Sequence, residues 1–149
     1  MASVIVVPGP AVGAARPRVT TTADGRSLTY IPANAKKWET HCAILARQAH
    51  RGPPIAGAVA VSVEVWVSRP KRLRGQRGDR QVRMATGKPD LDNVVKLAMD
   101  ALVRGLVLKD DTLVAELTAR RHWLGIDDDG SDIGSPRVEV SWSTLEEGT

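Results

Sequence analysis

Between Gly87 and Asp111 the chain reads GKPDLDNVVKLAMDALVRGLVLKDD, and its most reactive combination of side chains lies there. Asp90 and Asp92 follow Pro89, Lys96 comes one helical turn after Asp92, and the pair Asp110 and Asp111 stands shortly beyond. Carboxylates gathered without His or Cys neighbours make a hard-cation site, suited to Mg²⁺, with Mn²⁺ substituting. Like charges packed so closely repel without a cation, so the cluster either binds metal or is spread apart. A lysine beside it is a mobile point charge that suits a developing oxyanion. A plainer reading stands next to this one. Acids at a helix start complement its dipole and act as N-caps. Lys96 over Asp92 would then be an exposed ion pair contributing about 0.3–0.5 kcal/mol.

The spacing predicts a helix over 91–104. Val94, Val95, Ala98, Met99, Ala101 and Leu102 fall on one arc, and Asp92, Asn93, Lys96, Asp100 and Arg104 on the other. Gly105 makes a tight connection to a strand over 112–123, which runs back antiparallel to the helix. Asp110 and Asp111 return towards the helix start only if that connection folds back early. Upstream, a Val run at 3–7 reads as a strand, and β-branched residues flank Asp24 and Gly25 in a hairpin over 19–31. A helix opens near Asn34 as its N-cap, with Trp38, Cys42, Leu45 and Ala49 on one stripe, and ends before Pro53 and Pro54. Residues 59–67 alternate with valine at every odd position, and 136–142 make a last strand burying Val138, Val140 and Trp142. The expectation is one α+β domain over 1–149, a mixed β-sheet with two main helices packed on it. Segment 69–87 reads as a flexible basic loop, 125–135 as a polar loop and 144–149 as a disordered tail.

These residues carry a resemblance. Pro89-Asp90-Leu91-Asp92-Asn93, then Lys96, Asp100-Ala101-Leu102, Asp110-Asp111 and Val114 look like the signature of RusA-type Holliday junction resolvases. Pro8-Gly9, Arg16-Pro17-Arg18, Tyr30 and Lys37-Trp38-Glu39 fit the same family's opening more loosely. The resemblance implies a RusA-like fold and catalytic acids at Asp90, Asp92 and Asp111, with Asp110 in reserve and an essential lysine at Lys96. It further implies a homodimer that cleaves four-way DNA junctions with Mg²⁺ in recombination and repair, in a family often carried by prophages. Two segments depart from the family pattern: the arginine-rich stretch at 69–83 is long, and DDDGSD at 127–132 resembles an insertion.

Charge distribution points the same way. Of 21 Lys and Arg, 18 precede residue 110, against 7 of the 17 Asp and Glu. The stretch RPKRLRGQRGDRQVR at 69–83 holds seven basic residues and one acid. Such runs are often solvated surface; beside a phosphodiesterase site, phosphate contact is the better reading. Candidate DNA contacts are Arg16, Arg18, Lys71, Arg72, Arg74, Arg77, Arg80 and Lys88, with Lys36 and Lys37 as additions. Symmetric paired cuts in a junction need two matched sites, which a two-fold dimer supplies.

Other classes fall away. The apolar stretches are too short to span a bilayer, and MASVIVVPGP lacks the basic start of a secretory signal. One cysteine forms no internal disulfide, so a cytoplasmic location is expected. Gly87-Lys88 is no P-loop, 127–130 lacks the oxygen pattern of an EF-hand, and His41, His50 and His122 have no zinc spacing. No small-molecule cofactor and no membrane partner are expected. Two alternatives stay open: a non-catalytic nucleic-acid-binding protein on the same fold, and a nuclease for other branched or flapped DNA.

Overall fold

The computed structural model describes residues 2–14, 18–30, 33–75 and 77–145, without the side chains of Arg18, Thr20 and 28–30. Strand β1 (Ser3–Pro8) is followed by a hairpin, β2 (Arg18–Thr21) and β3 (Ser27–Tyr30), and then by helix α1 (Ala33–Ala49). Next come β4 (Val59–Val67), the short β5 (Arg83–Met84), helix α2 (Leu91–Arg104), β6 (Val114–Trp123) and β7 (Arg137–Thr144). The main sheet has the order β1-β7-β4-β6-β5, with β2 and β3 pairing separately. It is mixed, as expected: β4 runs parallel to β6 and antiparallel to β7.

Period-two patterning decides which face is buried. In β4 the valines 59, 61, 63 and 65 are buried, and Val61 pairs with Leu117, Val63 with Ala119 and Val65 with Arg121. Residues opposite each other share a face, so β6 turns Leu117, Ala119, Arg121 and Trp123 towards the same side. Ile5 and Val7 of β1 and Val138, Val140 and Trp142 of β7 join that core. Helix α1 buries Ala35, Trp38, Cys42, Ala43 and Ala46 against it. Burial and the charge of Glu39 push the Cys42 thiol up to about 12, so it stays protonated and serves as a core side chain. Asn34 lies inside the first turn of α1 rather than ahead of it, its Oδ1 accepting the Ala35 N–H at 2.9 Å.

Helix α2 has the bounds that its periodicity predicts, and it buries Val94, Val95, Leu97, Ala98, Ala101 and Leu102. Each valine or leucine among them contributes about 1.5–3 kcal/mol when fully buried, and each alanine less. The connection after α2 does fold back at once. Leu102 O accepts the N–H groups of Val107 and Leu108, both buried, and Leu108 bridges to Ile55. The turn lies so close to α1 that a Cβ on Gly105 would stand 2.6 Å from the Ala43 carbonyl oxygen.

Two expectations about the ends and loops change. Thr144 closes β7 and the Leu145 N–H donates to Ala58 O at 2.9 Å, so these two residues belong to the sheet rather than to a tail. Residues 146–149 lie outside the described ones. The polar loop is pinned by buried Ile126, whose N–H donates to Asp79 O at 2.7 Å.

Because neither backbone can retreat from the Gly105 contact, Gly105→Ala is expected to destabilise the fold by about 1–3 kcal/mol. Urea unfolding measures this; an unchanged midpoint would mean that α1 and α2 are not packed this closely.

Candidate active site

The start of α2 is held from below. Arg121 is buried, and its guanidinium donates to the carbonyl oxygens of Gly87 and Pro89, while its Nε has no partner among the described residues. From the other side the Ala14 N–H donates to Asn93 O at 2.9 Å. A Cβ on Gly13 would stand 3.1 Å from the Cβ atoms of Asn93 and Pro89. These contacts fix the segment that carries Asp90 and Asp92. Asp90 occupies the N-cap position without a side-chain cap hydrogen bond and accepts from Lys88 Nζ at 2.8 Å instead. That ammonium group holds the Asp90 carboxyl below the usual carboxylate range.

A hollow of about 610 Å³ opens between α2 and β6, with Asp92, Lys96, Asp100 and Asp111 on its wall and Val95 and Leu117 among its apolar lining. The early return of the chain therefore brings Asp111 to the middle of α2. Of the sequence-derived acids, Asp92 and Asp111 meet here with Lys96, whereas Asp90 is turned to Lys88. Asp110 caps the single turn Asp111–Leu113, accepting the Thr112 N–H at 2.9 Å. Asp100 is the acid that sequence reasoning left without a role, although it continues the Asp92–Lys96 stripe by one more turn.

Electrostatics mark Asp111 as the strained member. Its hydrogen bond with Asp110, some loss of hydration at the hollow and the negative charges of Asp110 and Asp100 raise its carboxyl above the usual range, and Lys96 opposes them. Asp110 is lowered, chiefly by the Thr112 N–H. Among the described residues Lys96 takes part in no ion pair, so it is not tied down by Asp92 as the plainer reading of the helix would have it.

Whether this set suits a metal depends on donor type and spacing. Among the described residues no group of three or more His, Cys, Asp or Glu is close enough to hold an ion. Asp92 and Asp100 lie two turns apart, roughly 12 Å along the helix, so one ion cannot be central to both. Yet Mg²⁺ is commonly held through one or two carboxylates and several waters, and an all-oxygen hollow with a crowded aspartate meets that requirement. The residues fit a hydrated hard cation, not a closed protein cage.

The arginine-rich segment has fixed points. Arg69 is buried and donates to Leu124 O at 3.0 Å, Gln81 O at 2.6 Å and Asp79 at 2.8 Å. Arg74 pairs with Asp132 at 2.7 Å, and Arg80 with Asp127 at 2.6 Å and Asp128 at 3.5 Å. The acidic stretch 127–132 thus folds onto the basic one. Lys71, Arg72 and Arg77 remain exposed. Among the described residues none of these three forms a salt bridge. Arg16 and the side chain of Arg18 lie outside the described residues.

Asp79 is the acid on which this segment turns. The Arg69 guanidinium holds its carboxyl below the usual value of about 3.9. The stability it adds is therefore complete above the unfolded value and lost as pH falls through the lower folded one. Asp79→Asn should reproduce at neutral pH the loosening of residues 78–81 that acid produces in the parent. Hydrogen exchange of the Gln81 and Ile126 amides reads it, and equal protection in both proteins at neutral pH would show that Asp79 pins nothing.

Residues 8–141 match the family described as endodeoxyribonuclease RusA. The chain is also similar to the uncharacterized protein YqaN of Bacillus subtilis (strain 168), 30% identical over 137 residues that cover 89% of each chain.

Proposed function

Since the chain belongs to the RusA endodeoxyribonuclease family, we propose that it hydrolyses phosphodiesters in four-way DNA junctions with Mg²⁺ and acts as a homodimer in recombination and repair. The observation that carries this reading is the shared hollow of Asp92, Lys96, Asp100 and Asp111, where an unpaired lysine faces crowded aspartates.

In this reading Asp92 and Asp111 hold the cation, with Asp90 and Asp100 at either end of the same stripe and Asp110 orienting Asp111. Held by Asp92 and Asp111, a divalent cation would supply an acidified water and shielding of the charge that grows on the phosphoryl oxygens. Lys96, free of an ion pair, neutralises the scissile phosphate or the leaving 3′-oxygen. Arg121 acts as a positioning residue: it touches no substrate, and it fixes the Gly87–Pro89 carbonyls from which α2 departs. Lys71, Arg72 and Arg77 meet the flanking phosphates, whereas Arg74 and Arg80 are engaged by Asp132, Asp127 and Asp128, and Lys88 by Asp90.

Asp92→Asn should keep junction binding within about twofold while cutting falls by a factor of about 10² or more, as expected when a charge on the metal is removed from the transition state. Labelled four-way junction, duplex and flap DNA, each with and without Mg²⁺, give the readout. Cleavage at the parental rate removes Asp92 from the site; preferential cutting of flaps replaces the junction as substrate. In the same assay Arg72→Gln with Arg77→Gln should flatten the slope of log affinity against log salt, by nearly one for each phosphate that is no longer neutralised. Arg80→Gln, which breaks an internal pair, should change the slope much less.

A further inference from the structure

On the same face of β6, a second cavity of about 470 Å³ lies beside the arginine-rich segment, lined by Arg69, Arg72, Leu73, Arg83, Met84 and Trp123, with the Asp79 carboxylate, paired to Arg69 and Arg83, also on its wall. Its chemistry differs from that of the acidic hollow. Arg69 is only 4% exposed and braced by Asp79, so one wall is rigid. Arg83 spends one amino group on Asp79 at 3.3 Å and keeps other donors free, and Arg72 is exposed. Between these cations Met84 is 67% exposed and Leu73 36% exposed, beside the half-buried Trp123 ring. A surface that met only duplex phosphates would need the arginines but not the apolar floor. Exposed methionine and leucine beside an indole, rimmed by guanidinium groups, suit a flat aromatic ring that carries a negative charge.

From this juxtaposition we propose that the cavity is a subsite for one unpaired nucleotide. Its base packs on Met84, Leu73 and Trp123, and its phosphate meets Arg72 and Arg83. The proposal rests on the DNA-cleaving reading above and adds a substrate feature to it. Ala119, on the wall of the acidic hollow, and Trp123 are four residues apart on one strand face, roughly 13 Å. At about 3.4 Å of rise per nucleotide in one strand, this is some four nucleotides. Ala119 is the nearer edge of the hollow, so a strand whose scissile phosphate lies over Asp92 and Asp111 presents its unpaired base at least about four positions away. Arg121 stands between the two cavities and fixes their separation.

The test measures binding without Mg²⁺, so that no probe is cut. The probes are 24-base-pair duplexes, fully paired or carrying one unpaired adenine, and the proteins are the parent and a Leu73→Ala, Met84→Ala double variant. Both positions are exposed, and equal thermal unfolding midpoints verify that the variant folds. The parent should bind the bulged duplex about 5- to 10-fold more tightly than the paired one. The variant should lose that preference while its affinity for the paired duplex stays within about twofold. Equal affinity of the parent for both probes, a preference that survives in the variant, or an equal loss on both probes overturns the subsite. A second series moves the cleavable phosphate from two to eight nucleotides from the bulge in Mg²⁺; cutting should peak at a single spacing of about four or more, and a peak at two or three, or no dependence on spacing, overturns the subsite. Failure of the parent to cut any branched DNA in Mg²⁺ counts against the nuclease reading, whatever the bulge preference proves to be.

Discussion

A guanidinium under a row of bare carbonyls is the interaction on which the site depends. Arg121 sits in the inward phase of β6, between Ala119 and Trp123 and opposite Val65, where an apolar side chain would be expected. Burying a charge there is unfavourable unless its donors are met. The Gly87 and Pro89 carbonyls meet one donor on each terminal nitrogen, leaving Nε without a partner among the described residues, and the two loop residues have no regular hydrogen-bonding element of their own. The arrangement is thus reciprocal: the loop satisfies the arginine, and the arginine fixes the place from which α2 departs. Asp90 and Asp92 then inherit their positions from a residue far along the chain.

The other half of the site comes from topology. Parallel strands such as β4 and β6 cannot be joined by a tight turn; they need a crossover, and α2 lies within it. Gly105 and the residues to Leu108 reverse the chain immediately, so β6 runs back along the helix it has just left. Asp111 consequently reaches the level of Lys96 and Asp100 rather than that of Asp90. Acids from two elements converge at mid-helix, while the acid nearest the helix start is left to Lys88. The repulsion among Asp100, Asp110 and Asp111 is tolerated because Lys96 is free to oppose it and because the hollow is open to solvent ions.

The parts legible in the sequence are those governed by a single period. Helix α2 and strand β4 have the predicted bounds because each carries an unbroken apolar pattern that no tertiary contact needs to override. The Asp92, Lys96 and Asp111 combination was legible through its resemblance to a family signature. Buried arginines were not. Arg69 read as part of the basic stretch at 69–83 and Arg121 was given no role, since burial of a cation depends on carbonyls brought from distant segments. A signal did exist for Arg121: it falls in the inward phase with Leu117, Ala119 and Trp123. Asp100 was passed over because its neighbour in space, Asp111, is set by the length of a turn and not by any periodicity. The roles of Asp127, Asp128 and Asp132 were hidden for the same reason, their partners being some fifty residues away.

Those acidic partners change what net charge means for this protein. Counting residues gives a strongly basic body and an acidic end, as though the two acted separately. In the fold, Asp132 engages Arg74 and Asp127 engages Arg80, so the insertion-like loop neutralises part of the segment that would otherwise face DNA. Guanidinium groups held this way are poor phosphate ligands, because a phosphate must first displace a carboxylate already in place. The same pairs, with Arg69 on Asp79, stiffen the segment against β6 and give it a shape. The cations left exposed, Lys71, Arg72 and Arg77, are then presented from a braced surface. Under the proposed DNA-cleaving reading, selectivity among DNA forms would follow from the positions of a few free charges and the apolar floor between them, more than from the total positive charge of the chain.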